Sequence, residues 1–444
     1  MSRHDRPTYH FTPRRNWLND PNGLVKYDDE WHLFFQHNPN GTDWGNMSWG
    51  HAVSADLVDW DEQPVAISYL PDEHVFSGSI VVDHADTSGF GQPGNPAMVA
   101  IYTGADPSTG RQVQCVAWSL DRGRTFTRYH ANPVIDAGRN DFRDPKVFWY
   151  DEAGGGYWVM VVVLADRRMV QFYRSDNLRH WTHLSDFGPA GAPDGIWECP
   201  DLFRVRIGPD GPLHWVMLVS LGLGARNGGS ASQYFVGDFD GKTFTAQEPD
   251  RVRWLDYGPD HYAAVSFAGL PTGEVVTIGW AGNWAYSGAT PSDGSRGQMS
   301  VPRRLTLARD ADDLRLVQTP VVLPDVPVVT SLPHDGRSFI YEGALGGSAP
   351  SALRVLASDT HWTEIGFDAA TSSVYVDRTR SGAVDFHDAF RGRYSAPVTA
   401  SRDGSVAVRI LVDAGSVEVF ADGGRTTVSC LVFPHPDQTR TTFV

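Results

Sequence analysis

Three short stretches set a carboxylate beside proline and aromatic or basic residues: Asp20 in WLNDPNG (17–23), Asp144 in FRDPKVF (142–148) and Glu198 in WECPDLF (197–203). Any single aspartate before proline is most simply an Asx turn. Here there are three, one of them Glu, a poor turn former, and each is followed by Pro and then an apolar run. They read as three strand entrances that each carry an acid. A buried carboxylate is costly unless it is paired or hydrogen-bonded, so acids gathered at one mouth need a use. Two carboxylates facing a sugar suffice for glycoside hydrolysis: one protonates the leaving oxygen while the other attacks the anomeric carbon or activates water. The local settings suggest roles. Glu198, between Trp197 and Cys199 with Pro200 behind, has apolar company that favours the protonated form and so the acid role. Asn19 and Asn22 offer Asp20 donors that keep it ionised, as a nucleophile must be. Arg143 keeps Asp144 charged and able to accept hydrogen bonds from sugar hydroxyls.

Other chemistries are poorly represented. There is no HExxH zinc motif and no GxSxG elbow, and GLGARNGG (222–229) does not fit the dinucleotide fingerprint, so it reads as a loop. Sixteen histidines are scattered singly, and no metal or other cofactor is expected. The three cysteines, at 115, 199 and 430, form no CxxC and support neither a disulfide framework nor a zinc ribbon. A net charge of -16 argues against nucleic acid and leaves a neutral polar substrate as the natural partner. No apolar run approaches the roughly 20 residues of a membrane span. The opening MSRHDRPTYHF lacks the apolar centre of a secretory leader, so the chain as written reads as cytoplasmic, or as secreted if it has been trimmed.

The elements that must position the acids recur along the chain. Five times a polar or acidic turn is followed by an apolar strand, a short turn and a second apolar strand, starting near Asn19, Phe76, Phe142, Trp197 and Asp256. With Asp20, Ser77, Asp144, Glu198 and Asp260 as equivalent points, the spacings are 57, 67, 54 and 62 residues. Four of the units end in a charged turn before an aromatic residue: SADLVDW (54–60), SLDRGRTF (119–126), SDNLRHW (175–181) and GDFDGKTF (237–244). Each reads as the hairpin joining the outer strands of a four-stranded sheet. Five such sheets arranged radially make a five-bladed β-propeller, whose innermost strands bring equivalent positions to one end of a central channel. A β-sandwich with coincidental turns is the alternative.

From Pro320 the texture changes. Residues 321–333 are proline-punctuated and nearly uncharged, as in a linker, and residues 334–444 give short alternating strands such as SVYVDRT, VAVRILVD and SVEVFAD. The expected architecture is therefore all-β: a propeller over 1–320, the linker, and a C-terminal β-sandwich. The second domain shows no clustered acids or histidines and reads as structural, at most accessory in binding.

Taken together, WLNDPNG, FFQHNP (34–39), WGNMSWGHAVSADLVDW (44–60), FSGS (76–79), FRDPKVF, WECPDLF and RGQMSVPRRL (296–305) closely resemble glycoside hydrolase family 32, the β-fructofuranosidases and fructanases. VDRTRSG and DAGSVEVFADGGRTTVSCLVFP resemble that family's C-terminal sandwich, so the resemblance covers essentially the whole chain. It implies a retaining mechanism with Asp20 as nucleophile, Glu198 as acid/base and Asp144 as transition-state stabiliser. It also places Asn19, Gln36, Trp44, Phe76, Ser77 and Arg143 at fructose-binding positions, with Trp284 a candidate wall of the neighbouring subsite. Two departures stand out: His37 where Tyr is common, and SDGS before RGQMS where many relatives carry an aromatic. The expected activity is exo-acting release of terminal fructose from sucrose, fructo-oligosaccharide, inulin or levan. A fructosyltransferase or difructose anhydride-forming enzyme on the same fold, a non-catalytic fructan-binding or sensor propeller, and an inverting arabinan- or xylan-cleaving propeller are the alternatives carried beside it.

Overall fold

The computed structural model describes residues 6–152, 154–208, 210–310, 313–322 and 326–444. Five sheets carry the N-terminal part, antiparallel except where the two-residue strand Ser295–Arg296 runs parallel to Asn16–Trp17, and the four main strands of each are written here from the inner strand outward. The first blade runs Asn16–Tyr27, Glu30–Asn38, Ser48–Ser54, Asp61–Ile67, and the second His74–Asp83, Ala97–Ala105, Gln112–Ser119, Thr127–Arg128. The third is Phe142–Glu152, Gly155–Leu164, Met169–Ser175, Thr182–Phe187. The fourth is Trp197–Arg206, Leu213–Leu221, Ala231–Phe239, Phe244–Ala246, and the fifth Tyr262–Ser266, Val275–Trp280, Arg303–Asp310, Asp313–Pro320. This is a five-bladed β-propeller. β-Branched and aromatic residues fill the strands because both faces of each blade are covered by neighbours. The second strand of the third blade, GGYWVMVVVL, is buried over its last eight residues. A separate apolar cluster fills each gap between blades, such as Val25, Phe34, Trp49 and Ile80 between the first and second. The ring closes where Lys26 N–H donates to the Ala268 carbonyl and Ala268 N–H to that of Leu24, both at 2.9 Å.

All five inner strands carry a bulge at the same place, where three residues advance against two on the second strand. Pairing passes from Leu18 to Pro21, Val75 to Gly78, Arg143 to Lys146, Glu198 to Asp201 and Tyr262 to Val265. This register corrects the equivalences expected from sequence. Leu18, Val75, Arg143, Glu198 and Tyr262 are the homologous first residues, so Asp20 stands third in its bulge, Asp144 second and Glu198 first. Asp260 lies outside the fifth inner strand and turns to the second domain, where it pairs with Arg378 at 2.5 Å. The three acids converge because each bulge aims a different one of its residues at the channel mouth. The second residue adopts a left-handed backbone in three blades, at Asp144 (φ 65°), Cys199 (φ 46°) and Ala263 (φ 51°). For side chains other than glycine that conformation costs on the order of 1–3 kcal/mol each and collects at functional sites.

The C-terminal part is a β-sandwich of a five-stranded and a six-stranded sheet around Phe339, Leu353, Ile365, Val376, Val419 and Val428. Its first strand, Val328–Val329, begins inside the segment expected as linker and pairs in parallel with Ile340 and Tyr341. Its acids are clustered after all, against residues of the propeller. Arg303 bridges Asp256 (2.9 Å) and Glu418 (2.6 Å), and His10 bridges Asp413 (2.8 Å) and Glu418 (2.9 Å). Spacing within the sandwich sequence could not show this, because half of each cluster lies in the other domain.

Candidate active site

Asp20 is buried, and its Oδ2 accepts a 2.8 Å hydrogen bond from Ser77 on the next blade. Asn19 holds its own side chain in place by accepting the Trp17 indole N–H at 2.7 Å, and its side chain is among the groups that pull the Asp20 carboxyl down. Asn22 does not serve the carboxylate as expected. Its amide donates to the Asp20 main-chain carbonyl at 2.6 Å, while its oxygen accepts from Gln36 (3.3 Å) and Gly78 N–H (3.2 Å). Burial, then the charge of Glu198, pushes Asp20 up to about 6 despite the donors. Its Oδ1 has no partner, which leaves one oxygen of the buried carboxylate unengaged.

Asp144 meets Asp20 at Cys199. The Cys199 N–H donates to Asp144 Oδ2 at 2.9 Å, and its thiol lies 3.6 Å from Asp20 Oδ2 and 3.7 Å from Asp144 Oδ2. Burial and the adjacent carboxylates raise the thiol well above its usual range, so it remains an S–H donor between two acids. Thr103 accepts the Asp144 N–H at 2.9 Å and fixes the left-handed bend. Arg143 was expected to keep Asp144 charged, but burial dominates. Although the guanidinium, 4.0 Å away, pulls the other way, burial with Glu198 and Asp20 raises Asp144 to about 7.

Glu198 has polar rather than apolar surroundings. Arg143 donates through Nε to its Oε1 at 3.2 Å, and the buried Tyr262 hydroxyl donates to Oε2. Trp197 turns instead into the core between the third and fourth blades. Arg143 is itself seated by Gln112 (3.2 Å) and Asp141 (3.0 Å). Burial and Glu198 hold the Tyr262 phenol well above its ordinary range, so it stays a donor. A Cβ on Gly222 would lie 3.2 Å from Glu198 Oε2, so glycine there leaves one side of this carboxylate uncovered.

Asn19, Asp20, Ser77, Arg143, Asp144 and Glu198 thus form one connected network. Trp44, half exposed, meets Phe76 edge-on at 5.9 Å and forms the rim. Gln36 is buried and braces Asn22 and the Val75 carbonyl (3.0 Å) rather than hydrogen-bonding a carboxylate of the described residues. Trp284 stacks on Trp17 at 6.3 Å and packs against Trp280, one step behind Asn19. Sequence reasoning missed Tyr262, Cys199 and Thr103 as members. Cys199 stood in view within WECPDLF, and Tyr262 lies two residues from the misplaced Asp260. Nothing local marks Thr103. Among the described residues no cluster of His, Cys, Asp and Glu is arranged to hold a metal.

A propeller with three acids at its channel mouth, joined to a sandwich, defines a class of glycan-cleaving enzymes. The profile of the glycosyl hydrolases family 32 N-terminal domain matches residues 10–320, and that of the family's C-terminal domain matches 327–444. The chain belongs to glycoside hydrolase family 32, and it is a glycoside hydrolase. It is 43% identical to a levanase of Bacillus subtilis over 97% of its own length, spanning 66% of that protein. The crystal structure of exo-inulinase from Aspergillus awamori superposes with a TM-score of 0.93 at 38% identity, covering 98% of this chain and 94% of that one. A fructofuranosidase from Schwanniomyces occidentalis complexed with fructose gives 0.89 at 34% identity, covering 99% and 94%.

Proposed function

We propose that the pocket of this exo-acting β-fructosidase releases terminal non-reducing β-D-fructofuranosyl residues from sucrose, fructo-oligosaccharides, inulin or levan by a retaining double displacement. The observation that carries this reading is the meeting of Asp20 and Asp144 at Cys199, directly beside Glu198. Asp20 attacks the anomeric carbon while Glu198 gives its proton to the glycosidic oxygen, and the leaving group departs with that proton. Water then attacks the same carbon, Glu198 takes the proton, and the bond to Asp20 breaks. Tyr262 and Arg143 fix the Glu198 carboxylate through both transfers. Asp144 accepts hydrogen bonds from ring hydroxyls, with Asn19, Ser77 and Arg143 around the sugar, and Trp44 and Phe76 enclosing its apolar face. The names of the relatives, a levanase, an exo-inulinase and a fructofuranosidase with fructose bound, support a fructoside substrate. Chromatography of early products from sucrose, inulin and levan tests it. Free fructose as the first product from each active substrate is expected, whereas internal fragments or cyclic difructose would overturn the exo-hydrolytic reading.

A further inference from the structure

Two charged rungs join the inner strands of the third and fourth blades, and among the described residues no other two inner strands share one. The upper rung, Arg143 to Glu198, links the residues that open the two bulges. The lower, Lys146 to Asp201, links the residues that close them. Lys146 Nζ lies 3.1 Å from Asp201 Oδ2, donates to the Ser266 carbonyl, and reaches the Ser266 hydroxyl at 3.1 Å. Asp201 Oδ2 also accepts the Ser266 N–H at 2.6 Å, so three inner strands are tied at one point. Both charged residues are buried, at 7% and 0% exposure, and neither takes part in the reaction above. Lys146 lines a small void together with Ser77, Asp144 and Cys199, which brings one end of the lower rung up against the residues of the site.

Stability alone does not account for such a pair, because packed apolar residues of similar volume usually stabilise a core as well or better. Its place does. A bulge re-aims side chains at the expense of local pairing, and two neighbouring bulges pinned at both ends cannot shift against each other. We propose that Lys146 and Asp201 are positioning residues: their ion pair holds the third and fourth inner strands in the register that sets Asp144 against the Arg143–Glu198 pair. The inference rests on the roles given above to Asp20, Asp144 and Glu198.

Two variants test it. Asp201→Asn keeps the shape and an acceptor oxygen but removes the charge. Lys146→Met combined with Asp201→Leu removes the pair and refills its volume. For each, kcat and KM are measured with sucrose and with a β-fructofuranoside bearing an activated leaving group, alongside thermal unfolding. The double variant is expected to unfold near the wild-type temperature, with kcat on sucrose lower by about 10- to 100-fold, the scale of an ångström's misplacement, and KM little changed. The loss should be smaller with the activated substrate, since the acid is among the groups displaced. Equal losses on both substrates that track a lowered unfolding temperature would reduce the pair to a structural role and overturn the proposal, as would wild-type kcat. If the double variant does not fold, Asp201→Asn decides alone by the same criteria. Asp20→Asn in the same assay separates the two levels: activity surviving there sinks the carboxylate roles, whereas a dead Asp20→Asn beside a fully active Asp201→Asn sinks only this proposal.

Discussion

The pocket and the contact between the domains both bury carboxylates, and they treat them in opposite ways. At the contact every acid is surrounded by donors. Asp256 accepts from Gly258 N–H (2.7 Å), Ser429 N–H (2.9 Å), the Ser429 hydroxyl (2.7 Å) and Arg303 (2.9 Å). Burial alone would raise Asp256 and Glu418, but Arg303, joined at Glu418 by His10, holds both below their ordinary values. In the pocket one guanidinium faces three acids, and Asp20 and Asp144 move up instead, to about 6 and about 7. Donors and cations decide whether a buried acid supports the fold or strains it. The contact spends its acids on cohesion, whereas the pocket keeps acids poised for reaction at the expense of cohesion.

The sharpest way to break this contrast is Asp20→Asn. Turnover should fall by roughly 10³-fold or more, as removal of a covalent nucleophile does, and near-normal kcat would remove Asp20 from that role. The same substitution should stabilise the protein. A carboxylate raised in the folded state favours folding fully only below its unfolded value near 3.8, and that contribution is lost as pH rises through about 6. Wild type therefore carries a burden at pH 8 that Asn lacks, worth about 3 kcal/mol, and none at pH 3. Denaturant unfolding at both pH values reads the difference, and equal stability of the two proteins at pH 8 would contradict it.

Arg303→Met should do the reverse. It strands Asp256 and Glu418 in a buried contact, which costs about 3–5 kcal/mol, while kcat of the folded protein changes little. An unchanged unfolding midpoint would show that the contact does not depend on its central cation.

How far the sequence reached follows the same division. Asp20, Asp144 and Glu198 were legible because each lies in a short motif with its own turn chemistry, and the five-fold alternation was legible because each blade is local in sequence. The offset among the acids was not. A bulge is a relation between an inner strand and the second strand beside it, and Arg143–Lys146 carries no local sign that it advances three residues against Val161–Val163. Tyr262 went unseen for that reason. The contact was illegible for a stronger one: His10 and Asp413 are 403 residues apart, and neither TYHF (8–11) nor VDAG (412–415) suggests an ion pair. Burial, the largest single influence on each of these pKa values even where donors and cations override it, is not a property of any one stretch.

His10 gives the contact a pH dependence of its own. Burial lowers it, but the hydrogen bonds its ring donates to Asp413 and Glu418 win and raise it from 6.5 to about 9. A raised histidine contributes its full stability below pH 6.5 and loses it as pH climbs through 9. Unfolding free energy should accordingly decline between these values, by about 3 kcal/mol at most, and His10→Gln should flatten that decline. A slope equally steep in His10→Gln would assign it to other groups.

The smallest effect asks whether the pocket acids are coupled as their positions imply. The acid limb of kcat/KM for the free enzyme should lie near pH 6, where Asp20 loses its charge as pH falls. Glu198 is the second cause of that raised value, after burial, so Glu198→Gln should move the limb to lower pH by a fraction of a unit. The measurement needs an activated β-fructofuranoside, because its leaving group departs without a proton and fructosylation survives the loss of the acid. Burial remains unchanged in the variant, which confines any movement to the lost charge. An unmoved limb would mean that Glu198 lies too far from Asp20, or is too well screened by Arg143 and Tyr262, to be felt there, and the pocket would then hold separately titrating acids rather than one coupled cluster.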